Sequence, residues 1–315
     1  MRFLPTGEQE AFGRSLDAML TAADVPSAAR AWAAGDHAPG RELFRRLAGA
    51  GVFDPELPAV ERVVAFVELG RHAVPGPLAE TVAAGVLLGR AGAPEGRLWR
   101  EVAEGVPTAV VLPGGGRYAL DPDAAGAVLV AEAGRVRAAP GHGPLRVSSD
   151  PVRRLAVPLA GGEVVVESAE VGAAAVLAGE TARLLTAAQC LGVGVALLER
   201  TVGYVRGRVQ FGSAVGGFQA VKHRLADVAV GVEFARAVVW GAGVTRDAGD
   251  VAAAKVVAGE AGYAAARAAL QLHGAIGYTD ELDLSLWLRK ARPLLTAWGT
   301  PAACRTQLLP APPRT

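Results

Sequence analysis

Two arginines and two phenylalanines interrupt the helical pattern of the C-terminal half. They lie in the stretch RGRVQFGSAVGGFQ, which runs from Arg206 to Gln219. A guanidinium group keeps its charge and donates paired hydrogen bonds to planar oxygen groups such as those of phosphate. The helix dipole also favours arginines at a helix C-terminus without any ligand, and Phe211 and Phe218 could fill a core beneath the loop. Taken alone, the stretch is compatible with an anion site and with a plain connection.

A second glycine-containing stretch begins at Gln271, with the sequence QLHGAIGYTDELDLSLWLRKAR. Gly274 and Gly277 would let backbone N–H groups approach an anion closely, because a Cβ atom would obstruct that approach. An ordinary turn between two helices would use glycines as well. Each stretch alone has an ordinary structural explanation. An anion site is indicated only because both stretches occur in the same chain.

Long helices must position both stretches, because the apolar residues around them step by three and four. This spacing predicts an antiparallel helical bundle over residues 171–315. Asp250 is the predicted N-cap of its third helix, and a fourth helical segment is expected to open near Thr279–Asp280 and to end at Pro293. The apolar seams run from Leu184 to Val205, from Val221 to Val239 and from Val257 to Ala268.

The remaining chain divides into two segments of different pattern. Residues 1–95 show amphipathic periodicity broken by Pro and Gly, which predicts an N-terminal helical domain. Residues 96–170 contain short Val- and Leu-rich runs separated by Gly, Pro and Asp, which predict a small β domain. Gly114–Gly116 could form a phosphate loop, but no convincing helix follows, so a hairpin turn is favoured. The predicted fold class is α+β, mainly α.

Composition argues against several functional classes. The 32 Lys and Arg residues balance 31 Asp and Glu residues, for a net charge of +1, whereas nucleic acids and anionic membrane surfaces require a basic excess. The five histidines and the two cysteines, Cys190 and Cys304, show no metal-like spacing. The N-terminus lacks a signal-peptide core, and no apolar run reaches the roughly 18 residues of a membrane span. We expect a cytoplasmic protein without a metal site or a membrane partner.

Together, the two stretches resemble signatures of the acyl-CoA dehydrogenase family. In the second stretch, Ala275 replaces one of the family's glycines. The N-terminal segment ELGRHAVPGPLAET also fits the first domain of that family, so the resemblance covers most of the chain. The matching residues are Tyr204, Arg208, Phe211, Gly212 and Gln219 in the first signature and Gln271, Gly274, Gly277, Tyr278 and Arg289 in the second.

The resemblance implies a fold, a cofactor and a reaction. The fold has an N-terminal helical domain, a middle β domain and a C-terminal four-helix bundle. The reaction is the FAD-dependent α,β-dehydrogenation of an acyl-CoA thioester, with electron-transfer flavoprotein as a possible electron acceptor. By resemblance, Arg208, Phe211 and Gln219 reach across a subunit interface to a neighbour's FAD. Gln271, Gly274 and Gly277 form the turn that meets the pyrophosphate.

The catalytic carboxylate of the family is missing from both of its usual positions. Where the family has Tyr-Glu ahead of Gly-Thr, this sequence has Ala297 and Trp298, and an indole has no acceptor for a proton. A minority of the family carries the Glu on an earlier helix, where this chain has Ala182. Glu180 lies nearby and could act as a displaced base, although a capping or surface role near a helix start is favoured.

The middle segment departs from the family as well. Residues 96–170 contain neither a Thr-Glu-Pro…Gly-Ser-Asp strand nor a Trp-Ile-Thr strand, which contact the flavin ring in the family. This combination resembles the noncatalytic-type subunit of actinobacterial heterotetrameric acyl-CoA dehydrogenases, several of which act on steroid side chains. We therefore expect a homologous catalytic subunit as partner, whose FAD site this chain completes. A self-sufficient homo-oligomer using Glu180 or another carboxylate, and a flavin-free structural homologue, are the alternatives.

Overall fold

The computed structural model describes residues 4–94 and 96–309, which form eleven α-helices and nine short strands. Helices precede and follow the main strand region, as the predicted α+β class requires. The helices before the strands are α1 (Gly7–Thr21), α2 (Val25–Ala33), α3 (Ala38–Gly49), α4 (Ala59–Arg71), α5 (Leu78–Arg90) and α6 (Arg97–Ala103). The later helices are α7 (Val171–Gly207), α8 (Gln219–Thr245), α9 (Ala248–His273), α10 (Leu284–Thr296) and α11 (Pro301–Leu308).

The chain divides into two compact units, each assembled from separate stretches. The first falls within the ranges Met1–Ala18, Ala59–Ala73 and Thr186–Thr315. The second comprises Met19–Pro58 and Val74–Leu185. The helix α7 contributes its beginning to the second unit and its longer remainder to the first. A division into separate N-terminal, middle and C-terminal domains stays a prediction.

Two small sheets lie in the second unit. One has the strand order β1-β3-β4-β7, in which β1 and β3 are parallel, and the other has the order β2-β6-β5. Because β1 and β2 belong to different sheets, Gly114–Gly116 does not close a hairpin, and that prediction was wrong. The glycines form a turn between sheets, and a short strand rather than a helix follows. The strands are β1 (Thr108–Val111), β2 (Ala119–Leu120), β3 (Ala127–Glu132), β4 (Arg135–Ala138), β5 (Arg146–Val147), β6 (Arg154–Ala156) and β7 (Glu163–Glu167).

The helix α9 is the central element of the first unit. It packs against α8, α10 and α11, and its buried face is rich in alanine and glycine. Small side chains permit close approach of helices: a Cβ atom on Gly194 of α7 would lie 3.3 Å from the Cα atom of Gly262. Cys190 and Cys304 are both buried, and they do not form a disulfide with each other.

Three predicted helix boundaries were wrong. The N-cap of α9 is Asp247, whose side chain accepts from the N–H groups of Gly249 and Asp250. Asp250 instead lies inside the first turn and accepts a hydrogen bond from the Thr245 hydroxyl at 2.7 Å. The helix α10 begins at Leu284 rather than near Thr279–Asp280, and it continues past Pro293 to Thr296. Proline removes one backbone donor near the helix end, and the Ala297 N–H still donates to the Pro293 carbonyl at 2.9 Å.

Two helices, α7 and α8, are long and apolar enough to cross a bilayer by length and composition. The sequence hides this property, because scattered polar residues interrupt every apolar run. Inside the protein, 83% of the apolar window of α7 is buried, as in a core helix, but the corresponding share of α8 is 39%. Much of the apolar surface of α8 therefore faces outward.

Candidate functional site

The loop after α7 is a tight β-hairpin with an aromatic residue at its tip. Two strands, β8 (Val209–Gln210) and β9 (Ser213–Ala214), pair antiparallel and leave Phe211 and Gly212 as a two-residue turn. Both turn residues have positive φ, at 54° and 82°. Such hairpin turns favour Asn-Gly or Gly-Gly, because a bulky residue at positive φ is strained. Phe211 thus takes an unfavourable backbone conformation in this turn.

The phenylalanine ring at the hairpin tip does not fill a core. Phe211 is 94% exposed and Phe218 is 40% exposed, and their rings meet edge to face with centroids 6.4 Å apart. The core-filling interpretation of these two residues is therefore wrong. Among the described residues, the one ring contact of this strained and exposed side chain is with Phe218, and its large remaining apolar surface indicates an external contact.

The Gln271 stretch forms the C-terminal end of α9 and a short 3-10 turn. Gly274 has φ 65°, and its N–H donates to the Gln271 carbonyl. Gly277 is buried, with space so tight that a Cβ atom would lie 3.2 Å from the Leu270 carbonyl oxygen. Arg289, farther along, forms an ion pair with Asp280 at 2.7 Å. The two glycines thus serve the turn itself, and they leave Gln271 exposed beside it.

The two predicted stretches meet through Tyr204 and His273, neither of which is among the predicted cofactor-binding residues. The ring of Tyr204 stacks on the ring of His273, with centroids 4.2 Å apart and an angle of 20° between planes. Tyr204 lies one turn before Arg208, and His273 lies directly before Gly274. The contact therefore places the hairpin beside the Gln271 turn. Tyr204 belongs to the first family signature. Its position one helical turn before Arg208 is the signal in the sequence that could have indicated its role.

Known proteins resemble this chain over nearly its whole length. A model of the acyl-CoA dehydrogenase C-terminal domain matches residues 174–309. Acyl-CoA dehydrogenase IpdE2 of Mycobacterium tuberculosis is 33% identical over 300 residues, which cover 91% of this chain and 92% of that protein. The chain belongs to the acyl-CoA dehydrogenase family.

Solved acyl-CoA dehydrogenase structures share the fold. A chain of the ChsE4–ChsE5 complex from Mycobacterium tuberculosis aligns with a TM-score of 0.82 and 25% identity, covering 99% of this chain and all of that one (100%). A glutaryl-CoA dehydrogenase from Mycobacterium smegmatis, solved in complex with FADH2, aligns with a TM-score of 0.82 and 18% identity, covering 98% of this chain and 94% of that one. This last identity supports the fold alone.

Exposed side chains of the hairpin, of the start of α8 and of the Gln271 turn fit the pyrophosphate of the family's cofactor, FAD. Arg206, Arg208, Lys222 and Arg224 are all exposed, and none forms an ion pair within residues 4–94 and 96–309. The Gln219 and Gln271 side chains likewise have no hydrogen-bond partner in that part of the chain. Four uncompensated cations and two open amides match a doubly charged, oxygen-rich group. These donors therefore suit FAD. The cofactor-binding roles stay predictions for Arg208, Phe211, Gln219, Gln271, Gly274 and Gly277.

At the acyl-CoA dehydrogenase base position, the backbone is fixed and the side chain is an indole. Trp298 has φ 55°, in the left-handed region, and is partly buried. The buried ammonium group of Lys255 donates to the Leu295 carbonyl at 2.8 Å and to the Gly299 carbonyl at 3.2 Å. These bonds secure the chain on both sides of Trp298. The turn that carries the base in most family members is thus rigid here and holds no proton acceptor on that side chain.

The proposed displaced base, Glu180, is not a capping residue. The helix α7 begins at Val171, so Glu180 lies in the third turn of that helix and the capping interpretation was wrong. The residue is partly buried and has no ion pair within the described ranges. An unpaired, partly buried carboxylate on α7 keeps the alternative of a displaced base open.

A group of three potential metal ligands lies elsewhere in the first unit. Asp17, Glu68 and His72 place one ligand atom each within 4.8 Å of one another, which their distance in sequence conceals. Arg71 contacts Glu68 at 3.0 Å and Asp17 at 3.7 Å. Burial raises the pKa of the Glu68 carboxyl, while the Arg71 charge opposes that rise. The guanidinium group already supplies a cation to these carboxylates, and we assign no metal site to them.

Proposed function

We propose that this chain is the subunit without a catalytic base in a heteromeric, FAD-dependent acyl-CoA dehydrogenase. It completes the FAD site of a homologous catalytic subunit through Arg208, Phe211, Gln219 and the Gln271 turn. The partner provides the carboxylate that removes the α proton of the acyl-CoA thioester. The substrate is an acyl-CoA, and a steroid side chain is the favoured acyl class.

The hairpin tip is the observation that carries this proposal. Phe211 is 94% exposed at a φ of 54°, an arrangement that costs stability and whose one ring contact among the described residues is with the partly exposed Phe218. Beside it, the exposed guanidinium group of Arg208 lacks an acidic partner among the described residues. An aromatic ring and a guanidinium group presented together to the outside suit a flat, anionic ligand held by another subunit.

The outward face of α8 supports a protein partner. Val230 and Phe234 are 71% and 64% exposed and lie one turn apart. The opposite face of the same helix carries Val228, Val232 and Val239, which are buried within the first unit. A helix that is apolar on two faces is usually buried on both. A second subunit that covers α8 would also lie next to the hairpin, since Gln219 begins this helix.

Each group has a distinct task in the proposed site. FAD, when bound, supplies the acceptor for the hydride that leaves the β carbon of the acyl group. Arg208 and the open amides of Gln219 and Gln271 hold the negative charge and orient the dinucleotide. The ring of Phe211 excludes water from the edge of the dinucleotide. Electron-transfer flavoprotein is the proposed external electron acceptor.

The direct test is flavin retention by the complex. We expect the Arg208→Ala variant, co-purified with the catalytic subunit, to lose FAD during gel filtration, because a charge-assisted contact is removed. The matched control is Arg100→Ala, which removes an exposed arginine from α6 in the second unit. Unchanged FAD content in the Arg208 variant, or an equal loss in the control, would contradict the assignment.

The self-sufficient homo-oligomer remains the second candidate, because Glu180 is partly buried and unpaired within residues 4–94 and 96–309. In that case the lone chain would bind FAD, and the Glu180→Gln variant would lose turnover while keeping the flavin. Turnover that survives this substitution would remove Glu180 from consideration. A flavin-free structural homologue would show no biochemical effect of Arg208→Ala beyond local stability.

A further inference from the structure

The C-terminal ends of α7 and α9 are joined by a pair of stacked rings. Tyr204 and His273 lie nearly parallel at a centroid distance of 4.2 Å, and the Tyr204 hydroxyl donates to the His273 carbonyl oxygen at 3.4 Å. They are 69 positions apart in the sequence. Each ring belongs to one of the two predicted cofactor stretches, so the contact joins those stretches directly.

The orientation of His273 is fixed from its own helix. Its Nδ1 lies 2.8 Å from the Ala269 carbonyl oxygen, and a carbonyl only accepts, so Nδ1 carries the proton. Burial lowers the pKa of the imidazole, which keeps the ring neutral at pH 7. The side chain is 6% exposed. His273 is therefore a neutral, immobile surface on which the phenol ring of Tyr204 rests.

The hairpin is attached to the same turn of α7 that carries Tyr204. The Arg208 N–H donates to the Tyr204 carbonyl at 3.0 Å, and the Val215 N–H donates to the Arg208 carbonyl at 2.8 Å. Gly216 packs against this turn, since a Cβ atom there would lie 3.2 Å from the Val205 carbonyl oxygen. Displacement of Tyr204 would thus carry the hairpin with it.

On the other side, the turn follows His273 without any intervening residue. Gly274 takes a positive φ of 65° immediately after the histidine, and its N–H returns to the Gln271 carbonyl. The Gln271 turn therefore begins at the residue whose ring stacks on Tyr204. Two otherwise separate loops share one rigid point of reference.

We propose that Tyr204 and His273 are positioning residues that hold the Arg208 hairpin and the Gln271 turn at a fixed spacing, so that both grip one dinucleotide. The identity of that dinucleotide as FAD rests on the proposed function. Neither ring has to touch the ligand. The two rings strengthen binding because they make the donors of the hairpin and those of the Gln271 turn act together on the ligand.

Flavin binding by the apo complex with the catalytic subunit measures this contribution. Tyr204→Leu removes the ring, and we expect the Kd for FAD, followed by flavin fluorescence, to rise about tenfold. Tyr204→Phe keeps the stacked ring and should retain a Kd within about threefold of the wild type. His273→Leu should match Tyr204→Leu, and the double variant should be no weaker than either single variant. Independent, multiplying effects would overturn the proposal.

A double-mutant cycle provides a second measurement that does not need the leucine variants to fold. The Arg208→Ala and Gln271→Ala variants are made singly and together in the otherwise wild-type complex. The double variant should weaken FAD binding by less than the product of the two single effects, because the hairpin and the Gln271 turn are held together and act on one ligand. Full independence of these two variants would overturn the proposal.

The outcomes separate this inference from the proposed function. A complex that binds FAD, loses it with Arg208→Ala and keeps a normal Kd with Tyr204→Leu refutes the positioning role alone. A complex that binds no FAD refutes the proposed function, and the positioning role fails with it. Circular dichroism of each variant confirms that the Kd is measured on folded protein.

Discussion

The indole N–H of Trp32 donates to the Oδ2 atom of Asp121 at 3.2 Å inside the second unit. The Arg154 backbone N–H donates to the other carboxyl oxygen at 2.7 Å. Asp121 is fully buried, and this burial raises its pKa to about 7 against the effect of both hydrogen bonds. A carboxyl group that takes up a proton near neutral pH makes the stability of the fold depend on pH.

We expect Asp121 to lower the stability of the fold as pH rises from about 4 to about 7. In that window the folded carboxyl keeps its proton while the unfolded one has lost it, so the free energy of unfolding falls by about 1.4 kcal/mol per pH unit. Asp121→Asn removes this contribution. Urea unfolding of both proteins at pH 5, 6, 7 and 8 should show the difference between them changing with pH.

His37, in the same unit, acts with the opposite sign. Burial, followed by the Arg154 charge, lowers its pKa, so its contribution is present above pH 6.5 and is lost as the pH falls through the range below. The comparison between wild type and Asp121→Asn cancels this effect, because both proteins keep His37. A difference that stays constant from pH 5 to 8 would contradict the assigned pKa.

The helices α4 and α7 approach each other closely at Gly192 in the first unit. A Cβ atom there would overlap the Val67 carbonyl oxygen and lie 2.8 Å from the Arg71 backbone nitrogen. We expect Gly192→Ala to reduce the free energy of unfolding by about 2–3 kcal/mol, because two helix backbones must separate.

Gly203→Ala is the matched control for that substitution. It lies on the same helix with no atom within 4 Å of the added methyl group, and alanine favours the helix by up to about 1 kcal/mol. Equal denaturation midpoints for the two variants would show that α4 and α7 do not approach as closely as described.

Phe211 should lower the free energy of unfolding while it strengthens FAD binding by the complex. Phe211→Asn gives the hairpin the Asn-Gly turn that its geometry prefers, and we expect a gain of about 1 kcal/mol in the free energy of unfolding. The same variant should release FAD from the complex more readily, whereas Phe211→Tyr should not. A variant with lower stability, or with unchanged flavin retention, would show that the exposed ring has another purpose.

Local sequence patterns predicted much of the fold, because seams spaced by three and four determine which helix faces are buried. The same patterns failed where a competing local choice existed. Asp247 and Asp250 are both able N-caps, and the start of the helix decides between them. A proline near a helix C-terminus removes a single donor, so Pro293 did not end α10. The assignment of β1 and β2 to different sheets depends on contacts between distant strands.

The two stretches of the candidate site could be predicted from the sequence, but the contact that joins them could not. Arg208 and Gln271 belong to short motifs that can be recognised from the neighbouring residues. The contact between Tyr204 and His273 joins positions 69 residues apart, and helical spacing within either stretch does not indicate the partner. The exposure of Phe211 was equally hidden, since a phenylalanine beside glycines more often fills a core.

If this chain completes a flavin site in another subunit, flavin should be retained only when both chains are present. The most direct measurement is the visible absorbance of the purified chain, first alone and then co-expressed with a homologous catalytic subunit. We expect a colourless lone chain and a yellow complex with one FAD for each pair of unlike chains. Stoichiometric flavin in the lone chain would contradict the proposed function and indicate a self-sufficient enzyme with an unconventional base.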